Sequence, residues 1–80
     1  MNLVQLRYFA AVAHNGSITK AAAELAITQP AISRQLGLLE AEIGTALIVR
    51  HPRGVQLTRA GDLLLSRCEY LLRILADIQS

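Results

Sequence analysis

A single cysteine, Cys68, rules out an internal disulfide and suits a reducing compartment. No apolar run approaches the roughly 18 residues of a membrane span, and no signal peptide is recognisable, so the chain is expected to be cytoplasmic. There is no nucleophile–base–orienter set and no glycine-rich phosphate loop, which argues against an enzyme. The two histidines, His14 and His51, have no cysteine or carboxylate at ligand spacing, so neither a metal site nor a cofactor is expected. Internal repeats and low-complexity linkers are also missing.

What is present fits one small domain of 80 residues, whose core can add only a few kcal/mol beyond the ordering entropy. Its apolar fraction of 52% is high for this length, so some of that surface is available to a partner. The formal net charge of +2 is uneven: residues 1–60 hold six basic side chains against three acidic, residues 61–80 two against three. The basic excess therefore belongs to the first part, a mild sign of a polyanionic partner.

The first helix is expected from about Leu3 to His14, with Leu6, Phe9, Ala10 and Ala13 on its inner face and His14 meeting the carbonyls at its end. Asn15 or Gly16 can take the left-handed conformation that stops it, and Ser17 is placed as N-cap of a short, alanine-rich second helix, Ile18 to about Leu25. The inner face of that helix is Ile18, Ala21, Ala22 and Leu25.

After about three residues, Ala26 to Thr28, a third helix begins, with Thr28 as N-cap. Pro30 falls in its first turn, where the missing N–H would have had no intrahelical partner, so this proline starts the helix instead of breaking it. Ile32, Leu36, Leu39 and Ile43 recur at spacings of 4, 3 and 4 as a core-facing stripe. Gln29, Ser33, Gly37 and Glu40 run along one flank of the stripe, while Pro30 and Arg34 lie further towards solvent; Gly44 ends the helix. "ALIVR" and "VQL", joined by "HPRG", then read as a small β-hairpin. Thr58 caps a last helix.

Two helices joined by a short turn, the second with a polar outward start, have the organisation of a helix-turn-helix, and the hairpin adds a wing. A recognition helix enters the major groove by its N-terminal turns, where Gln29, Ser33 and Arg34 are side-chain types that meet base edges or phosphates. Pro30 and Ala31 offer small apolar surface to a thymine methyl. Arg50 and Arg53 flank the wing's turn, within reach of a neighbouring backbone or minor groove. Singly, these residues read as a solvated face, Lys20 equally as surface charge or as a phosphate contact, and Ser17 and Thr28 first as caps, with a phosphate contact additional. Their joint occurrence with the turn and the hairpin favours double-stranded DNA over the alternative, a winged-helix protein–protein association module.

The stretches "LRYFAAVAHNGSITKAAAELAITQPAISRQLGLLEAEIGTALIVR" and "GVQLTRAG" resemble the N-terminal DNA-binding domain of LysR-type transcriptional regulators across nearly all of the chain. The resemblance implies a mainly α fold: a winged helix-turn-helix of three helices and a hairpin over residues 1–58, then a long linker (dimerisation) helix over 59–80. It implies a bacterial, nucleoid-associated homo-oligomer, a dimer or in the full-length protein a tetramer, binding an interrupted palindromic operator. Gln29, Pro30, Ser33 and Arg34 match the family's recognition-helix positions, Arg50 and Arg53 its wing, and Ser17 and Thr28 its phosphate-touching helix starts. Gly37 departs from the pattern, since a longer polar side chain is common there, and Ile48 and Val49 stand in place of the usual Phe and Glu. A small-molecule effector would act only through a further domain, which is expected beyond the linker helix and lies outside these residues.

In the last helix Leu64, Cys68, Leu71, Leu75 and Ile78 recur at 4, 3, 4 and 3, the spacing of a helix packed along another, with Leu65, Leu72 and Ile74 off that seam. Apolar groups on more than one face need more than one surface to cover them. One is the chain's own domain; the second is expected to be the same helix of another copy, antiparallel by the family resemblance.

Overall fold

A computed structural model describes residues 1–80 as four helices and one hairpin, in the order α1 (Leu3–Asn15), α2 (Ile18–Leu25), α3 (Gln29–Ile43), β1 (Ile48–His51), β2 (Gly54–Leu57) and α4 (Arg59–Gln79). Each helix starts on a short polar side chain that accepts a backbone N–H otherwise left without a partner: Asn2, Ser17, Thr28 and Thr58 accept from Gln5, Lys20, Ala31 and Gly61. Gly16 and Gly44 close α1 and α3 in the left-handed region, at φ 62° and 86°. α2 closes the same way on Ala26, at φ 56°, and the Ile27 N–H reaches back to the Ala22 carbonyl at 3.0 Å. An alanine there costs about 1 kcal/mol relative to glycine, so the tight turn into α3 is imposed by packing and not by local preference.

The core gathers Leu6, Phe9, Val12, Ile18, Ala21, Ile32, Leu36, Leu39, Leu47 and Cys68. Phe9 is wholly enclosed where α1 meets the other helices. Because α1 packs against α2, α3 and α4 together, its buried surface is wider than the expected stripe. Gln5, Ala11 and Val12 are buried, whereas Ala13 is only half-buried. Ile43, expected in the core, is 37% exposed, because it ends α3 beyond the cover of α1. His14 turns away from the helix-end carbonyls and pairs with Glu69 of α4, Nε2 to Oε2, at 3.2 Å.

The hairpin is antiparallel, pairing Ile48 with Leu57 and His51 with Gly54 around a Pro52–Arg53 turn. Leu47, just before it, is a junction. The Glu40 carboxylate of α3 accepts its N–H at 2.6 Å and that of Ile48 at 3.3 Å, while its carbonyl accepts from the Thr58 N–H at 3.0 Å. α4 passes so close that a Cβ at Gly61 would stand 2.1 Å from the Leu47 carbonyl oxygen. This docking directs the start of α4 inward: Cys68 is 2% exposed, and Leu64 packs on the same core. The seam expected to face a second copy is therefore divided. Leu64 and Cys68 face their own domain, while Leu71 and Ile78 are exposed, at 38% and 74%, and Leu75 is half-buried.

Two glycine substitutions should have opposite signs. Gly61→Ala must displace backbone and should lower stability by about 1–3 kcal/mol, although alanine is the better helix former. Gly37→Ala, whose Cβ meets nothing within 4 Å, should raise it by roughly 0.5–1 kcal/mol; urea midpoints of the two variants check both. Burial, and then the nearby Glu69 carboxylate, push the Cys68 thiol above its ordinary value. The folded state thus favours the protonated form, and that contribution is complete below the unfolded thiol's pKa and fades as pH rises through the folded value. Stability of the wild type should fall more steeply than that of Cys68→Ala between about pH 8 and 10, as read from urea midpoints across that range.

Candidate nucleic-acid interface

α3 lies against the core along Ile32, Leu36 and Leu39, all at most 2% exposed, which leaves the opposite side of the helix free. Pro30 and Arg34 are exposed there, and Gln29, exposed at the helix start, lies on the flank with the half-buried Ser33. The Thr28 hydroxyl takes up only the Ala31 N–H, at 3.3 Å, and Pro30 has none to offer. That leaves the Gln29 N–H of the first turn without an intrahelical partner, and with it partial positive charge at the helix start.

The wing stands beside this helix. Arg50 donates from Nη2 to the Ser33 hydroxyl at 3.3 Å, joining two residues 17 apart in sequence. At the tip the Arg53 N–H donates to Nδ1 of His51 at 3.2 Å, and the Arg53 side chain is exposed. Close to its turn, the wing's second strand is tied to the turn between α1 and α2, where the Val55 N–H donates to the Gly16 carbonyl at 3.0 Å. An open, mainly polar groove results between the start of α2 and the wing, lined by Ser17, Thr19, Arg50 and Arg53 among others. Ser17, read from sequence as a cap, is a cap, accepting the Lys20 N–H at 3.1 Å, and it also lies in the groove with both wing arginines.

The cations of this surface are free. The two ion pairs of the chain join the amino terminus to Glu42 and His14 to Glu69, and neither involves Lys20, Arg34, Arg50 or Arg53. Four unpaired cations spread over α2, the free side of α3 and the wing favour a polyanion by Coulomb attraction and by release of its counterions. Lys20 and Thr28 are exposed on the edge of α2 and at the entry to α3. Glu40, grouped from sequence with the polar flank, instead supports the backbone at Leu47. Sequence reasoning gave no role to Thr19 or to Gln35; the first has no local signal, and the second stands out only once α1 is placed beside α3.

A helix-turn-helix whose second helix projects its start, with a hairpin held at its side, defines a winged helix-turn-helix. Residues 3–62 match the family model of the bacterial regulatory helix-turn-helix proteins of the lysR family, and the chain belongs to that family. It is 45% identical over 80 residues to a probable cat1 operon transcriptional activator of Acinetobacter lwoffii, covering all of this chain and 26% of that protein. With the regulator ClcR of Pseudomonas putida the identity is 47% over 74 residues, 92% of this chain and 25% of that one. The chain thus spans about a quarter of the length of these curated relatives. Among solved structures, the BenM_DBD/catB site 1 DNA complex superposes with a TM-score of 0.94 at 41% identity, covering 98% of this chain and 88% of that one. The CbnR_DBD–DNA complex gives 0.93 at 39% identity, covering 99% and 91%.

Proposed function

We propose that this chain is the DNA-binding part of a bacterial transcriptional regulator and reads double-stranded DNA with α3 in the major groove and the wing on the adjacent backbone or minor groove. The observation that carries this reading is the geometry around α3. Arg34 lies on the side that its own core leaves free, Gln29 is exposed at the helix start, and Arg50 of the wing holds Ser33 on the flank at 3.3 Å. Gln29 and Arg34 meet base edges, and Pro30 offers apolar surface to a thymine methyl. Ser17, Lys20 and Thr28 fix the phosphate backbone at the starts of α2 and α3. Two solved relatives of the same fold carry DNA in their complexes, which supports this reading.

The exposed end of α4 supports a dimer. Leu71, Ile74 and Ile78 lie uncovered on a 21-residue helix, about 32 Å long. An antiparallel partner helix covers them and sets two recognition helices roughly one DNA turn, or a multiple of it, apart on an interrupted palindrome. A small-molecule effector acts through the part of the longer relatives that this chain does not span.

Selection of bound duplexes from a random library should yield an interrupted palindrome, and retardation of that duplex should weaken steeply with salt. A salt-independent interaction, or none, would refute DNA binding. Gln29→Ala and Arg34→Ala should each cost about 1–3 kcal/mol and relax preference at particular base pairs. Arg53→Ala should lower affinity evenly across sequences and flatten the salt slope by about one unit. Binding of both selected and random DNA at wild-type strength by all three variants would sink the residue assignment. In sedimentation the wild type should be dimeric, alone or on DNA, while Leu71→Asp with Leu75→Asp should give a folded monomer with much weaker operator binding. A monomeric wild type that binds a half-site as tightly as the palindrome would remove the dimer.

A further inference from the structure

The core holds one buried polar residue, Gln5, which is 6% exposed. Its Nε2 donates to Oε1 of Gln35 on α3 at 3.2 Å, and its own Oε1 has no hydrogen-bond partner in the chain. Exchanging the oxygen and nitrogen of both amides keeps the mutual bond but still leaves the other half of the Gln5 amide unsatisfied. An apolar side chain would fill the same volume without that desolvation penalty. A buried amide held at such a cost needs a reason beyond stability.

The reason lies in where Gln35 sits on α3. Ser33, Arg34 and Gln35 are consecutive, so at 3.6 residues per turn they point about 100° apart around the helix. Ser33 is held on one flank by Arg50 of the wing and Gln35 on the other by Gln5 of α1, and Arg34 projects between them, away from the core. The contacts on the core side, Ile32, Leu36 and Leu39, are apolar and resist a roll of the helix only by shape, and the Glu40 carboxylate that holds Leu47 and Ile48 acts near the far end of the helix. A roll of about 20° would carry the end of an Arg34 side chain, about 8 Å from that axis, through roughly 3 Å. That is several times the tolerance of about 0.5 Å for a working contact.

We infer that Gln5 and Gln35 form a polar brace that sets the roll of α3, and so act as positioning residues for the selectivity of Arg34 and Gln29. The inference rests on the DNA-binding reading above. Gln5→Met keeps the length and shape of the side chain and removes the hydrogen bond. It should leave the urea midpoint unchanged or raise it, while the ratio of affinity for selected over random DNA drops about tenfold, the scale of one base-edge contact. Affinity for random DNA should stay within about twofold, because phosphate contacts are less demanding of angle. Gln35→Met, changed at the half-buried partner, should reproduce the loss, and the double variant should be no worse than either single one. Should Gln5→Met fail to fold, Gln35→Met carries the test alone.

A folded variant that keeps the wild-type ratio overturns the brace, as does a double variant whose losses add. A wild type without preference for any duplex overturns the DNA-binding reading instead, so the two failures are distinguishable.

Discussion

The fold depends on the backbone of Leu47. Its N–H is taken by the Glu40 carboxylate from α3, its carbonyl by the N–H of Thr58 at the start of α4, and its side chain is 1% exposed in the core. Thr58 strengthens the junction by donating its hydroxyl to the Ala46 carbonyl at 2.7 Å while accepting the Gly61 N–H at 3.0 Å. The end of the third helix, the root of the wing and the start of the long helix are thereby fixed to one another within a single stretch of chain. A domain of this size has little apolar surface to bury, so charged and backbone hydrogen bonds at one junction replace part of what a larger core would provide.

With that junction set, the polar surface follows from geometry. The hairpin leaves Leu47 alongside α3, which places Arg50 beside Ser33. Its other strand reaches the Gly16 turn, which sets Arg53 across from Ser17. None of these cations is neutralised by a carboxylate of the chain. A modest net charge of +2 can therefore coexist with a basic surface, because three of the six acidic side chains are engaged elsewhere: Glu40 on backbone, Glu42 on the amino terminus and Glu69 on His14. Charge placement, more than charge total, decides what such a surface attracts.

Where the physics is local, the sequence is a good guide. Ser17, Thr28 and Thr58 cap the helices expected of them, Pro30 opens α3, and the hairpin turns at Pro52–Arg53. Those signals operate over three or four residues. Its guidance stops where partners are distant. Glu40 shares a helix flank with Gln29 and Ser33, and only the returning chain shows that it serves Leu47. His14 finds Glu69 across 55 residues, and Gln5 finds Gln35 across 30. The turn at Ala26 has no glycine to announce its left-handed backbone. Heptad spacing in α4 likewise marks apolar positions without saying which surface covers each. The recognition-helix and wing positions are what the family resemblance implies, and the geometry adds how neighbouring elements hold the side chains at those positions.

The joint beside the wing's turn has a consequence for which positions of this domain can change. Gly54 sits at φ 139°, and a Cβ there would stand 2.1 Å from the Gly16 carbonyl oxygen, itself in a turn at φ 62°. The two turns form one mechanical joint although 38 positions separate them: a side chain at 54 would have to push the Gly16 backbone aside, whereas a Cβ at Gly16 meets nothing within 4 Å. The tip, Pro52 and Arg53, touches no such joint and is exposed. The two residues at the outer end can thus change without disturbing the joint, and they behave as an exchangeable bit on a fixed shank.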